Sequence, residues 1–237
     1  MKKISQSLLK DMLGDYCEYY LKLKYIDGIE TEPTIAMMGG LAFESKLIGS
    51  ARGGVFEYPK LKNGNISKKE KDIDKVVIFA EKVLKEMNIK IGDVQVEMVK
   101  DNRIGHIDAE SSINSKLFLL DVKYTGLSYA QYQKELQWSS LSSSLIIQAK
   151  QYQSLYSKPL TFVFAVFSEK LWTRFFEVTF VKEDIEDHIN LCDLKLNEFN
   201  NLKFTPAEDA NKCAVCRLNN ICEKICYKPK IETLINI

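Results

Sequence analysis

Apolar residues recur at two different periods along this chain, and the change of period divides it into segments. Near the start, Ile4, Leu8, Leu9, Met12, Leu13, Tyr16 and Tyr20 fall mostly at steps of three and four. That spacing predicts one amphipathic helix from Ile4 to about Leu23, with Cys17 on it. A second helix is expected over Met37 to Ile48, entered through Gly39 and Gly40. The segment YPKLKNGNI (58–66) is turn-rich, and Ser67 with Glu70 three residues later forms a capping box for a helix running to about Met87. The period then shortens to two. VQVEMV (94–99), RIGHIDAE (103–110) and KLFLLDVKY (116–124) read as three strands joined by short polar turns, a β-meander. A polar, aromatic-containing stretch covers 125–144. A helix around Leu145 to Tyr156, two strands (161–167 and 172–180), a helix from about Lys182 to Asn200 and an irregular cysteine-rich segment complete the chain.

Composition narrows the class without naming a partner. The 46% hydrophobic and 27% charged content suits a folded domain with appendages. Lys and Arg total 33 against 32 Asp and Glu, so overall charge announces no nucleic acid, and a local basic groove stays open. The N-terminus starts with two lysines, but Lys10, Asp11 and Asp15 interrupt what would be a signal's apolar core, and no run of eighteen apolar residues occurs. A cytoplasmic protein with no membrane partner is expected. No Walker-type phosphate loop and no internal repeat occur. In a reducing compartment six cysteines are better explained by metal binding than by three disulfides.

Two constellations carry chemistry. On a strand, residues two apart share a face, so Asp121 and Lys123 in Leu120-Asp-Val-Lys-Tyr124 project together while Val122 points into the opposite layer. The preceding strand supplies Gly105-His-Ile-Asp108, and pairing of the two strands brings Asp108 to the same end of the sheet. Phosphodiester hydrolysis needs a cation against developing negative charge, an in-line water and a group to steady it. Asp108 and Asp121 are hard oxygen ligands suited to Mg²⁺ or Mn²⁺, Lys123 would orient or help deprotonate the water, and Glu44 is a candidate third carboxylate. A D-x-K triplet is common by chance, and its bland reading is a strand-end ion pair; G-x-x-D thirteen residues earlier is what raises it. Gln148 and Tyr152, at i and i+4, share a helix face from which both can bond a phosphate or hold Lys123. His106 shares a strand face with Asp108, and its bland reading is an exposed or hydrogen-bonded histidine.

The second constellation is Cys213-Ala-Val-Cys216-Arg-Leu-Asn-Asn-Ile-Cys222, a C-x2-C-x5-C run. Iron–sulfur clusters and structural Zn²⁺ usually take four protein ligands. Spacing leaves the fourth open among Cys17, Cys226 and Cys192, the last read as a small buried hydrophobe. A zinc-stabilised structural knot is the bland reading of the whole run.

Taken in order, these residues resemble the RecB-like PD-(D/E)XK nucleases that carry a cysteine-bound 4Fe–4S cluster. That group includes the CRISPR-associated exonucleases of spacer acquisition and the AddB nuclease domain. The likeness runs from Ser5 to Cys222, through Ser5-Gln-Ser-Leu8, Tyr16-Cys17-Glu-Tyr-Tyr20, G-x-x-D, D-x-K, Q-x-x-x-Y and the closing cysteines. It implies an α/β, restriction-endonuclease-like fold: a mixed central sheet flanked by helices, in a single nuclease domain over 1–237. It also implies that 1–24 and 201–237 form a cap bound to a structural cluster, with Cys17 as the fourth ligand beside Cys213, Cys216 and Cys222. Asp108 and Asp121 become metal ligands, Lys123 the catalytic lysine, and Gln148 with Tyr152 the motif behind it. The sequence departs at Gly40-Leu-Ala-Phe-Glu44, where Glu44 stands in place of the histidine of many relatives; a carboxylate also suits Mg²⁺ or Mn²⁺. The expected activity is a metal-dependent DNA exonuclease acting on single strands or free ends, in phage recombination, replication or CRISPR adaptation alongside those systems' proteins. Tyr124, Tyr129, Tyr132, Lys134 and Trp138 are candidates to stack bases and hold phosphates. The alternative is a non-catalytic DNA-end-binding or assembly subunit that keeps the fold.

Overall fold

In the computed structural model the described residues are 3–14, 16–51, 54–135, 143–156, 160–206, 210–219 and 222. Among them, one mixed sheet holds six strands: β1 (Ile4–Ser5), β2 (Ile89–Lys100), β3 (Arg103–Ile113), β4 (Lys116–Thr125), β5 (Thr161–Ser168) and β6 (Thr173–Val178). The expected meander is present, with β2, β3 and β4 antiparallel in succession. β4 pairs in parallel with β5, β5 antiparallel with β6, and β1 in parallel with β3. Eight helices accompany the sheet among these residues: α1 (Gln6–Leu13), α2 (Glu18–Tyr25), α3 (Ile35–Ile48), α4 (Lys68–Glu86), α5 (Tyr129–Glu135), α6 (Ser143–Leu155), α7 (Lys182–Asn200) and α8 (Ala210–Val215). A parallel β4–β5 pair requires a crossover, and α5 and α6 supply it.

Strand alternation sorts the core into two layers. Leu120, Val122, Ala165 and Phe167 bury one face against Ala42 and Phe43 of α3 and Ile73, Val76, Val77, Ala80 and Leu84 of α4. Leu119, Phe162, Phe164 and Val166 bury the other against Ala149, Tyr152 and Leu155 of α6. Each buried Val, Leu, Ile or Phe side chain here contributes on the order of 1.5–3 kcal/mol from removal of apolar surface from water. Asp121 and Lys123 belong to the α6 face, and Val122 packs in the opposite layer, as the period of two requires.

The opening helix is different from the expectation. Ile4 and Ser5 are extended and pair with Arg103 and Ile104. α1 then ends at Leu13, a turn follows at Gly14, and α2 begins only at Glu18. Cys17 therefore does not lie within a helix; it is the N-cap of α2, with extended backbone and Sγ accepting from the Tyr20 N–H at 3.3 Å. Both short helices bury apolar residues, so the three–four spacing carries on through a break that it cannot register. Gly39 and Gly40 also lie inside α3, whose entry is Thr34, its Oγ1 accepting from Met37 N at 3.2 Å. A Cβ at Gly39 would meet the Tyr124 ring at 3.2 Å and Lys69 Cε at 3.3 Å, so a close approach accounts for glycine there. Ser67 caps α4 as expected, its Oγ accepting from Glu70 N at 3.0 Å.

The chain divides into two compact units, one of Met1–Gln6 with Pro33–Asp193 and one of Ser7–Glu32 with Leu194–Ile237. The first holds the whole sheet. The second contains Lys24 bonded to Asp11 at 2.6 Å, Tyr25 O–H donating to the same carboxylate at 2.7 Å, and Cys17, Cys213, Cys216 and Cys222. No helix among the described residues is long and apolar enough to cross a membrane.

Candidate active site

The β3–β4 ladder runs from Ile113–Lys116 to Ala109–Leu120 and stops there. At the next position along each strand stand Asp108 and Asp121. The Val122 N–H, which a continued ladder would engage, donates instead to Asp108 Oδ2 at 2.9 Å. Ile107 belongs to the α6-side core and Ala109 to the α3/α4-side core, so strict alternation is interrupted at Asp108. Across from it on β2, between Val94↔Ala109 and Val96↔Ile107, Gln95 has φ +50. The strands thus part at the point where the carboxylates sit.

Asp121 is fully buried. Lys123 Nζ lies 2.5 Å from its Oδ2, and Gln148 Nε2 donates a short hydrogen bond to its Oδ1. Gln148 reaches toward the Tyr152 hydroxyl at 3.5 Å, and that hydroxyl accepts from Gln6 Nε2 at 3.1 Å. The i and i+4 placement on α6 therefore acts through Asp121 rather than through direct contact with Lys123. Gly105 of G-x-x-D is explained by the same helix: a Cβ there would fall 2.8 Å from Leu155 Cδ1 and 2.9 Å from Tyr152 Cδ1. Glu44, from α3, accepts from Gln95 Nε2 at 2.8 Å. His106 pairs with Glu97 at 2.8 Å and both are more than half exposed, so it takes the bland role.

Electrostatics bind these groups into one centre. Burial first, then the Asp121 carboxylate, push the Asp108 carboxyl well above the ordinary carboxylate range; Lys123 opposes this and Glu44 adds to it. Burial alone would lower the Lys123 ammonium, but attraction to Asp121 and Asp108 outweighs it and holds the value above its usual one. Burial, followed by the same two carboxylates, drives the Tyr152 phenol far upward, so it stays an O–H.

Three carboxylates facing one ammonium leave an excess of negative charge on oxygen donors, the chemistry that suits a hard divalent cation. Among the described residues no three His, Cys, Asp or Glu side chains converge on one ion position. Asp108 and Asp121 alone would supply two ligands, the share that proteins commonly give Mg²⁺, which keeps several waters. Glu44 is bonded to Gln95, a residue that the sequence did not mark: in VQVEMV it reads as an ordinary polar position. Gln6 was likewise unmarked, although it lies in the Ser5-Gln-Ser-Leu8 opening.

In the second unit, Cys213 ends its helical turn by accepting from Cys216 N at 3.3 Å. Cys216 accepts from Asn219 N at 3.1 Å, and Asn219 from Cys222 N at 3.4 Å, so the chain folds back on itself in short turns. Burial raises the Cys216 thiol most; Cys17, Cys222 and Cys213 raise it further, which places all four within electrostatic reach. Four soft thiols fit an iron–sulfur or zinc donor set in kind. They are not closed around one point as they stand. Cys192 is fully buried in the first unit, its thiol 3.4 Å from Gln151 Oε1 and pushed up to about 12 by burial. Cys226 and Trp138, and the Lys134 side chain, lie outside the described residues.

No protein-family profile matches the sequence, and no curated protein matches it. Solved structures share its fold. A provisionally named exonuclease from Eubacterium rectale superposes with a TM-score of 0.65 at 16% identity, covering 96% of this chain and 90% of the other. An alkaline exonuclease from Laribacter hongkongensis gives 0.54 at 10% identity, covering 84% and 88%. The structure of that enzyme in complex with dAMP gives 0.53 at 9% identity over the same shares. At such identities the likeness establishes a nuclease-type mixed α/β fold, with a central sheet flanked by helices.

Proposed function

We propose that this protein is a metal-dependent DNA exonuclease that hydrolyses phosphodiester bonds at DNA ends. The observation that carries the reading is the convergence of buried Asp121 and half-buried Asp108 beside protonated Lys123, at the place where β3 and β4 part. The folds it shares with exonucleases support it, as does dAMP in one of them. Asp108 and Asp121 would hold Mg²⁺ or Mn²⁺, with Glu44 near enough to join on release from Gln95. Such an ion would supply Lewis acidity and a more acidic water. Lys123, kept charged by its neighbours, acts as a cation: it donates to a phosphate oxygen or to the incoming water and offsets negative charge as that oxygen attacks phosphorus. Gln148 fixes the Asp121 carboxylate, and Tyr152, whose hydroxyl Gln6 bonds, stands behind Gln148. Cys17, Cys213, Cys216 and Cys222 are proposed to bind a structural 4Fe–4S cluster that ties 1–24 to 201–237.

End-labelled single- and double-stranded DNA incubated with anaerobically purified protein and Mg²⁺ or Mn²⁺ tests the activity. Wild-type protein is expected to degrade from ends, while Asp121→Asn and Lys123→Ala do not. Undiminished cleavage by either purified variant would sink the assignment. Salt-sensitive DNA binding without any turnover would point instead to a non-catalytic end-binding subunit.

A further inference from the structure

The cross-strand register continues from the candidate active site to β6. Lys123 pairs with Val166, and Val166 pairs with Arg174. Directly paired residues point to the same face, and Val166 and Phe176 both pack on the α6 side, so Arg174 projects from the same face as Lys123. Two strand spacings separate their backbones by about 10 Å. The guanidinium lies 4.6 Å from the Phe176 ring centre and makes no ion pair with a carboxylate among the described residues. It is also near the Tyr132 phenol, where it opposes the upward push of burial.

Beside it stands an aromatic group. Trp172, at the entry to β6, is fixed in orientation by its Nε1–H donating to the Leu127 carbonyl at 3.0 Å, an oxygen that also accepts from Ser168 Oγ at 2.7 Å. Tyr132 packs on Trp172 at 4.8 Å and Tyr129 meets it edge-on at 5.5 Å. Tyr129 keeps 45% of its surface exposed. An anchored ring cluster with an open tyrosine and an adjoining unneutralised arginine has the two elements that single-stranded nucleic acid engages: π-faces for bases and a fixed cation for phosphate.

We propose that Tyr129, Trp172 and Arg174 form a subsite for a single strand leading to or from the scissile phosphate, the rings taking a base and Arg174 a neighbouring phosphate. The proposal rests on the nuclease reading for its placement and is tested by binding alone. Trp138→Phe leaves Trp172 as the remaining tryptophan, since the chain has two. Its fluorescence is followed in EDTA during titration with an oligothymidylate and with an abasic oligomer of equal length. The oligothymidylate is expected to quench Trp172 and to bind roughly tenfold tighter than the abasic strand, as one stacked base would give. Arg174→Gln is expected to weaken both strands and to lower the salt slope by about 0.7, one phosphate's share for a single strand. Trp172→Ala is expected to remove the preference for bases; should it fail to fold, the comparison of the two strands on the Trp138→Phe protein still decides. Equal affinities with unchanged emission, or an unchanged salt slope in Arg174→Gln, overturns the subsite. Quenching without cleavage in Mn²⁺ would sink the nuclease reading and leave the subsite standing.

Discussion

The carboxylate centre and the cysteine segment are both polar constellations gathered from distant parts of the chain, yet the protein supports them very differently. Around Asp108 and Asp121, hydrogen bonds come from Val122 N–H and Gln148, an ion pair from Lys123, and packing from two core layers. Around Cys216 there are short turns, a six-residue helix and an 82% exposed Val215, with Leu218 the neighbouring buried hydrophobe. The first centre is preformed by ordinary folding forces. The second is held among the described residues by short turns and backbone hydrogen bonds, and under the proposed cluster its order would depend on what the thiols bind.

Substitutions at the two centres should therefore fail in opposite ways. Asp121→Asn is expected to lower turnover by on the order of 10³-fold or more, comparable to losing a main transition-state contact, while hydrogen-exchange protection of β3–β5 stays intact. Cys216→Ser is expected to abolish bound iron and to strip protection from 16–25 and 210–219, leaving the sheet's protection in place. Loss of protection throughout the sheet in that variant would erase the distinction. Colourless protein with stoichiometric zinc would replace iron in it.

A pH titration sharpens the contrast from the sheet's side. His188 is buried against Gln151, 2.9 Å from its Oε1, and burial, then Lys150 and Arg103, lower its value to about 4. The unfolded chain takes up that proton first, near pH 6.5. The associated stability is therefore complete above about pH 6.5 and is lost as pH falls toward 4, by about 3 kcal/mol in full. Denaturant melts at successive pH values should show it, and His188→Gln should flatten that part of the curve.

Smaller effects follow from packing. Gly105→Ala pushes a methyl into Leu155 and Tyr152 and is expected to destabilise by about 1–3 kcal/mol. It should also lower turnover, because Tyr152 supports Gln148. Ser67→Ala removes the α4 cap, whose hydroxyl bonds its own helix end, and should destabilise by about 1 kcal/mol with turnover unchanged.

The sequence revealed what periodicity and chemical type can encode. The meander, the capped α4, the opposite faces of Val122 and Asp121, and the approach of Asp108 to Asp121 were all legible before any coordinates. What escaped was set by other parts of the chain. The break between α1 and α2 is invisible to a spacing that continues through it, and Ile4 is a strand residue because β3 offers it an edge. Gln95 bonds Glu44 from a left-handed position inside a strand, and nothing in VQVEMV signals a positive φ. Arg174 reaches the face of Lys123 only through the register of β4, β5 and β6, and Trp172 stands at the entry to β6.

Asp108 takes the acceptor's place in the sheet where the β3–β4 ladder lapses, so the carboxylate proposed to hold a metal is also a rung. Replacing it by alanine would leave the buried Val122 N–H without that acceptor, a penalty of about 1–3 kcal/mol that has nothing to do with catalysis. Selection for folding alone would therefore keep an acceptor at position 108. Retention of an aspartate at position 108 is accordingly a poor marker of activity by itself.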